Sequence, residues 1–459
     1  MTAHLLQTRA RFPHKVTLFE ASGRLGGKIL TPNFGSFPVH YEAGAAELYD
    51  YSQLGPDPLR ELVRALGLST RRMGGEAVVI GDRILRNSSD LAATFGENAR
   101  RALARFTSRA RSNISPADYY ESDWKVDNED PLSSLSFSRL LDDIPDENVR
   151  RYIEVAVHSD LATEPEKTNA MYGLQNFLMN FPQYMRLYTI EGGLERLPRE
   201  LAKRITADVR LNQPIVAVER TSGGDYRLFS RQRESILSEE FDIVVVALPN
   251  NWISAIEWRG ATLRRAMRRH VEHYAYPAHY LRVSVLYQRP FWRDRIPDSY
   301  FMIDAFGGCC VYDESSRNGT SYGVLGWLIA GDAALTMSNF DDQTLVTKVL
   351  ESLPACLHHG RDLFIEARVH RWLGAVNGLP GGRPLQEPDA RHVPEPQEHP
   401  WLFVVGDYLF DSTLNGVLDS ADTAVEWILE EVAEEQGGEV RGRAPSSHEI
   451  IVPAESVCD

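Results

Sequence analysis

Two groups of residues have types and spacing suited to chemistry. The first is Glu20 with Arg24, Gly26, Gly27 and Lys28, in "VTLFEASGRLGGKIL". A carboxylate at the end of a buried strand is where a dinucleotide-binding βαβ unit places its ribose ligand. Paired glycines let backbone N–H groups approach a pyrophosphate, and a basic side chain adds charge. The second group follows the strand in "LFVVGDYLFDSTLNGVLDSADTAVEWI", where Gly406 and Asp407 precede a loop and a long helix.

These groups need a parallel sheet to hold them. "HKVTLFEA" reads as a short buried strand ending at Glu20, and "FDIVVVALP" (241–249) as a strand buried on both faces. Residues 2–10 read as the end of an amphipathic helix. In a βαβ unit the glycine turn lies about 20 residues before the acid, so it falls just before Met1. The chain thus reads as entering inside that helix, with no GxGxxG elsewhere. "PVHYEAGAA" (38–46) reads as a strand running into a small-residue turn, and "DPLRELVRALGL" (57–68) as a helix closed by Gly67. "IEGGLERLPRELAKRI" (190–205) reads as a glycine turn entering a helix. Two strands flank the turn at Ser222, Gly223 and Gly224. The stretch 279–292 alternates like a strand with one exposed face, and 401–432 reads as strand, loop and helix.

The strands fall in three blocks. This predicts an α/β fold: a Rossmann-like domain, incomplete at its N-terminus, interleaved with an α+β substrate domain. The first domain takes residues 1–75, 190–260 and 400–435. The second takes 76–189 and 261–399. Residues 436–459, rich in Gly, Glu, Ser and Pro, read as a disordered tail.

Composition excludes some classes. With 459 residues, 43% of them hydrophobic, sizeable cores are affordable. A formal net charge of -15 argues against a nucleic-acid groove. "RRAMRRH" (264–270) reads as a solvated helix face. Cys309, Cys310, Cys356 and Cys458 show no metal-ligand spacing and read as reduced thiols of a cytosolic protein. No metal is expected. No apolar run spans a bilayer, and no signal-peptide core is present.

The first group, "LFEASGRLGGKILT", resembles the "VLEA…R.GGR" stretch of the flavin-dependent amine oxidase superfamily, which includes protoporphyrinogen oxidase and the carotenoid desaturases. Lys28 replaces the more usual Arg. The second group resembles that family's C-terminal flavin motif. The resemblance implies that Gly406 and Asp407 bind the ribityl or pyrophosphate segment of FAD. It also implies that Thr413, Leu414, Asn415 and Gly416 approach the flavin ring, a helix N-terminus favouring the negative charge of reduced flavin. "GGLERLPRELAKRI" and "VVVALP" are similar to interior family segments, and Ile215 in "NQPIVAVER" stands where the backbone reads adenine. Gly44 and Ala45, in the small-residue turn, are further cofactor candidates.

The resemblance also points to catalytic candidates. Arg282, in "YLRVSVLYQRPFW", stands where many amine oxidases carry a lysine near flavin N5. It holds a water there, binds an anionic substrate group, or is structural. Trp372 opens "WLGAVNGLPGGR", where Gly381 and Gly382 replace the cysteine of covalent relatives, so non-covalent FAD is expected. The aromatic pair is incomplete, because no Tyr follows Trp372. Glu47 falls where amino-acid oxidases place an arginine carboxylate clamp, which favours a cationic substrate or leaves Glu47 at a loop edge. Tyr49, Asp50 and Tyr51 then line a cation-tolerant mouth. His40, His158 and His370 read as structural.

The expected function is hydride transfer from a small molecule to flavin, at an amine C–N bond, with O2 or another electron acceptor. The alternatives are a C–C desaturase of the protoporphyrinogen oxidase type, a cofactor-deficient accessory relative, and a flavin-using mutase.

Overall fold

The computed structural model describes residues 1–121, 131–317, 319–378, 386, 388–410, 412–437 and 448–451. The chain divides into two compact units. The first comprises Met1–Lys28, Leu197–Ala275 and Leu385–Asp459, and the second Ile29–Arg196 and Tyr276–Pro384. Residues 29–75 therefore fall in the second unit, although their motif content suggested the first.

A five-stranded parallel sheet forms the centre of the first unit. Its order is Leu402–Val404, Ile243–Val246, His448–Ile451, His14–Phe19, Asp208–Arg210. Every residue of Ile243–Val246 is buried, as a parallel strand covered on both faces requires. The helix Thr2–Arg9 buries Leu5 and Leu6, and Arg9 pairs with Asp422 of the helix Leu414–Gly437 at 2.5 Å. A second sheet sets Ile215–Arg220 antiparallel to Tyr226–Gln232 across the Thr221–Asp225 turn. Ser235–Phe241 continues it, and Glu257–Trp258 runs parallel on the other edge.

The expected tail departs from the sequence reading. The last long helix runs to Gly437, and residues 448–451 form a strand in the middle of the sheet. There His14–Thr17 pairs with His448–Ile451, while Ile450 and Ile451 pair with Ile243 and Val244. Two parallel neighbours supply hydrogen bonds to a β-branched segment whose composition alone suggested disorder. Residues 438–447 and 452–459, including Cys458, lie outside the described residues.

The second unit centres on a seven-stranded sheet. Its order is Phe364–Asn377, Pro277–Tyr287, Gly323–Ala330, Cys309–Asp313, Tyr300–Ile303, Val78–Ile80, Arg83–Leu85. Pro277–Tyr287 is an interior strand, buried on both faces from Leu281 onward, which corrects the expectation of one exposed face. Leu281, Val283 and Val285 enter a core with Trp292, Phe301 and Trp327. On the other face Leu286 enters the Phe34–Tyr41 cluster, and Arg282 and Ser284 are buried. The apparent polar alternation came from these buried polar side chains. A smaller antiparallel sheet joins Leu48–Asp50, Arg186–Ile190 and Thr70–Arg72.

Residues 38–46 are not a regular strand. Only the bridge between Asn33 and His40 forms, supported by Tyr41 N–H donating to Pro32 O at 3.1 Å and Ala43 N–H to Leu30 O at 2.9 Å. Pro32 lacks the N–H that a continuous ladder requires. The helix Pro58–Ala65 starts on Asp57, whose side chain accepts from Arg60 N–H. Gly67 follows its end with φ 71°. The helix Glu147–Leu161 is capped by Asp146 in the same way.

Candidate active site

In the first unit the strand His14–Phe19 delivers Glu20 fully buried. Its Oε1 accepts from Ser22 N–H at 2.6 Å, and its carbonyl accepts from Gln213 N–H at 2.9 Å. Asn212 N–H donates to Ser22 O at 2.9 Å. The segment entering the Ile215 strand is thereby fastened to the loop after Glu20. Two candidates 195 residues apart in sequence, Glu20 and Ile215, become neighbours along the backbone.

The same loop explains its glycines. Gly26 and Gly27 have φ of 115° and 51°, values that side chains with a Cβ rarely adopt. Arg24 folds back onto the carbonyls of Leu25 and Gly27, so it fixes the loop's shape. Lys28 Nζ lies 2.5 Å from Asp407 Oδ2. The other oxygen, Oδ1, accepts from Tyr408 N–H at 2.9 Å, and Ser412 N–H donates to the Asp407 carbonyl at 3.1 Å. Gly406 N–H donates to Ser420 Oγ at 3.0 Å, and a Cβ at Gly406 would meet the Tyr408 ring at 2.8 Å. Thr413 Oγ1 accepts from Gly416 N–H at 3.0 Å, which caps the helix that Leu414 begins. Asn415 Oδ1 is buried with no hydrogen-bond partner, at the first turn of that helix. Behind the loop, His270 Nε2 lies 2.8 Å from Tyr408 Oη. Burial, then the neighbouring His273 and His392, push the His270 pKa down to about 3, so it is neutral.

The second unit holds the catalytic candidates. Trp372 Nε1 donates to Ala43 O at 2.6 Å, which ties the Phe364–Asn377 strand to the turn carrying Gly44 and Ala45. Arg282 is fully buried in an ion pair with Glu314. Its Nε donates to Glu42 O at 3.0 Å, and its guanidinium lies 4.6 Å over the Tyr312 ring. Glu42 in turn accepts from Leu194 N–H at 3.0 Å and Thr31 Oγ1 at 2.7 Å. Arg282 therefore braces the Glu42–Gly44 turn, and its charge is already matched. Its Nη1, by contrast, is buried with no hydrogen-bond partner.

His40, His158 and His370 are each held in place. His40 sits in the bridge to Asn33, and His158 lies 2.9 Å from Gly308 O and 3.0 Å from Glu164 Oε2. His370 lies 3.0 Å from Tyr41 Oη. Asp50 is engaged by Arg60 at 3.4 Å. Gly381 and Gly382 lie outside the described residues. Among the described residues no His, Cys, Asp and Glu cluster could hold a metal ion.

Sequence reading missed Asp160. It lies in the last turn of Glu147–Leu161, a poor place for a carboxylate because the helix dipole is negative there. That misfit was the available signal. Burial, and then the carboxylate of Glu47, push its pKa up to about 8. Glu47, Tyr49, Asp160, Tyr280 and Tyr300 each keep partial exposure. Yet Tyr49, Asp160, Tyr280 and Tyr300 are deeply surrounded by protein. That combination marks the wall of an internal recess. Tyr280 Oη donates to Ser159 O at 2.8 Å, and Tyr280 stands opposite Trp372 in the sheet. Glu47 thus joins a tyrosine-walled acidic recess, and Trp372 stands across the sheet from one of its tyrosines.

The chain matches the family of flavin containing amine oxidoreductases over residues 1–429 and belongs to it. No curated protein sequence matches the chain. Its fold is similar to putrescine oxidase bound to putrescine, with TM-score 0.70 and 16% identity, covering 94% of this chain and 96% of that one. Cyclohexylamine oxidase from Brevibacterium oxydans IH-35A gives TM-score 0.71 and 18% identity over 94% and 96%. A protoporphyrinogen oxidase-like protein from Exiguobacterium sp. 255-15 gives 0.66 and 16% over the same shares. Family membership makes the chain an oxidoreductase and implies a flavin cofactor. The positive-φ glycines, the buried Asn415 oxygen and the capped helix N-terminus fit such a group. No described helix is long and apolar enough to cross a membrane.

Proposed function

We propose that the chain is an FAD-dependent oxidase of primary or secondary amines that lack a carboxylate beside the reacting carbon. The observation that carries this reading is the Glu47–Asp160 pair in its tyrosine-walled recess. Two facing carboxylates in low dielectric repel each other, and a cationic amine relieves the repulsion. A porphyrinogen brings carboxylates of its own, which this pair disfavours.

FAD is held without a covalent bond. Glu20 takes the ribose hydroxyls, the Ile215 backbone the adenine, and Gly26, Gly27, Lys28 and Asp407 the pyrophosphate and ribityl side. Thr413, Leu414, Asn415 and Gly416 would approach the ring. Bound FAD supplies the hydride acceptor and its reoxidation by O2 or another acceptor. Asp160 does proton work for the substrate. Its raised pKa lies nearer an ammonium's than an ordinary carboxylate's, so its ionised form takes the ammonium proton and leaves the neutral amine. Trp372 and Arg282 position the Glu42–Gly44 turn.

Anaerobic titration of the purified flavoprotein with an amine panel tests the reading. Bleaching of the visible flavin band by amines, and not by their α-carboxylated counterparts, is the expected result. A flavin that no amine reduces would overturn it.

A further inference from the structure

The first unit carries a cleft of about 620 Å3 that the oxidase chemistry does not use. It is lined by the turn Thr221–Gly224, by Arg259–Leu263 and by Glu398 and His399. None of these residues belongs to the flavin group. Arg220 ends the strand that Ile215 begins, about 16 Å away at the usual rise per residue.

We propose that this cleft binds the phosphoryl group of a small phosphorylated ligand. The helix Ala261–His273 opens into it from Gly260, which offers no side-chain cap. The backbone N–H groups of Ala261, Thr262 and Leu263 therefore have no intrahelical partner and point along the positive end of the dipole. A buried side chain adds a second, independent sign. His399 is 6% exposed, lines the cleft, and its Nδ1 has no hydrogen-bond partner. Such an orphaned ring nitrogen is costly unless a ligand satisfies it.

Two guanidinium groups complete the donor set. Arg220 Nε donates to Gly224 O at 3.1 Å and its Nη1 to Glu398 O, so the side chain is anchored at the cleft edge. Arg259 stacks 4.1 Å over Phe229. It also meets Glu257 at 3.1 Å and Glu219 at 3.5 Å. The Glu219 carboxylate lines the cleft but is shared between Arg259 and Arg227, the latter at 2.8 Å. Glu398 is exposed, and its carboxylate is free to turn to solvent. Planar guanidinium forks suit phosphate oxygens, and the helix N-terminus adds backbone N–H donors for them. The volume exceeds what phosphate alone fills, which points to a phosphate monoester.

Isothermal titration of the flavin-loaded full chain tests this with inorganic phosphate, adenosine monophosphate and adenosine. We expect the monophosphate to bind at least about tenfold tighter than adenosine. Inorganic phosphate binding as tightly as the monophosphate would support the site with free phosphate as its ligand. Arg259→Gln should weaken binding about tenfold. Ala261→Pro removes one backbone donor at a position where proline suits a helix, and should weaken it about fivefold. Amine-dependent flavin reduction should be unchanged in both. Absence of binding by both phosphate probes, or binding that survives Ala261→Pro unchanged in a folded protein, would overturn the proposal.

Discussion

The two units secure their charged groups differently. In the first, Lys28 and Asp407 meet at 2.5 Å at the ends of loops that leave parallel strands, with Lys28 still partly open to water. In the second, Arg282 and Glu314 meet where neither has any exposure, and Glu42 hangs from the same guanidinium by its carbonyl. Strand ends and glycine turns shape the first arrangement, so backbone geometry does most of the positioning. A buried ion pair shapes the second, so removing one partner strands the other in low dielectric. The first unit should lose its ligand before its fold when a charge is removed. The second should lose its fold first.

The largest expected effect tests the backbone side of this contrast. The strand His448–Ile451 pairs at four positions with one neighbour and two with the other. At about 1 kcal/mol per ladder bond, deleting residues 448–459 should cost on the order of 5 kcal/mol. Denaturant titration should show a lower midpoint, and flavin should be lost on gel filtration. A deletion that leaves both unchanged means the central strand contributes nothing to the sheet.

Next comes the buried pair. Glu314→Ala should destabilise the protein by about 3–5 kcal/mol, because Arg282 keeps its charge and loses its partner. Replacing both, as Arg282→Met with Glu314→Leu, should recover most of that loss, and comparison of the two unfolding midpoints decides it. If Glu314→Ala were as stable as the parent but poor in amine turnover, Arg282 would belong to the chemistry and not to the frame.

The contrast also explains what the sequence made legible. Glu20, Gly26, Gly27 and Asp407 lie at strand ends and turns, and Gly416 in the first turn of a helix, where few residue types satisfy the backbone. Their spacing survives as a motif, and the strands at 14–19, 243–246 and 402–404 could be placed from it. Asp160, Tyr280 and Tyr300 converge from separate segments onto one recess, and no local rule links them. Arg282 misled because a buried cation on a β-strand reads as the polar member of an alternating pattern. The strand 448–451 was missed because its flanks have the composition of a tail.

A smaller effect is expected in the first unit. Asp407→Asn removes the charge facing Lys28 while keeping the shape of the loop. Flavin affinity should fall about 10- to 100-fold. The unfolding midpoint of the flavin-free protein should stay near the parent's. Equilibrium dialysis of flavin beside a thermal melt separates the two readouts, and a collapse of the melt would erase the distinction between the units.

The smallest effect, and the most diagnostic for the second unit, concerns Asp160. Its carboxyl titrates near 8 in the folded state against 3.8 for the ordinary group, raised by burial and by Glu47. Between those values the folded protein holds a proton that the unfolded chain releases, so this group's contribution to stability falls as pH rises through the window. Asp160→Asn removes the titration. The substitution should therefore raise the melting temperature by a few degrees at pH 8 to 9 and change it little near pH 4. An amine that binds as a cation should reverse the ranking. It favours ionised Asp160, so it should stabilise the parent more than Asp160→Asn, and the variant's kcat/KM for amines should fall about tenfold. The cost of ionising Asp160 beside Glu47 and the affinity for the cation then have one source. A variant that melts higher at alkaline pH while keeping full amine turnover would break that link. It would leave Asp160 a buried acid with no part in choosing the substrate.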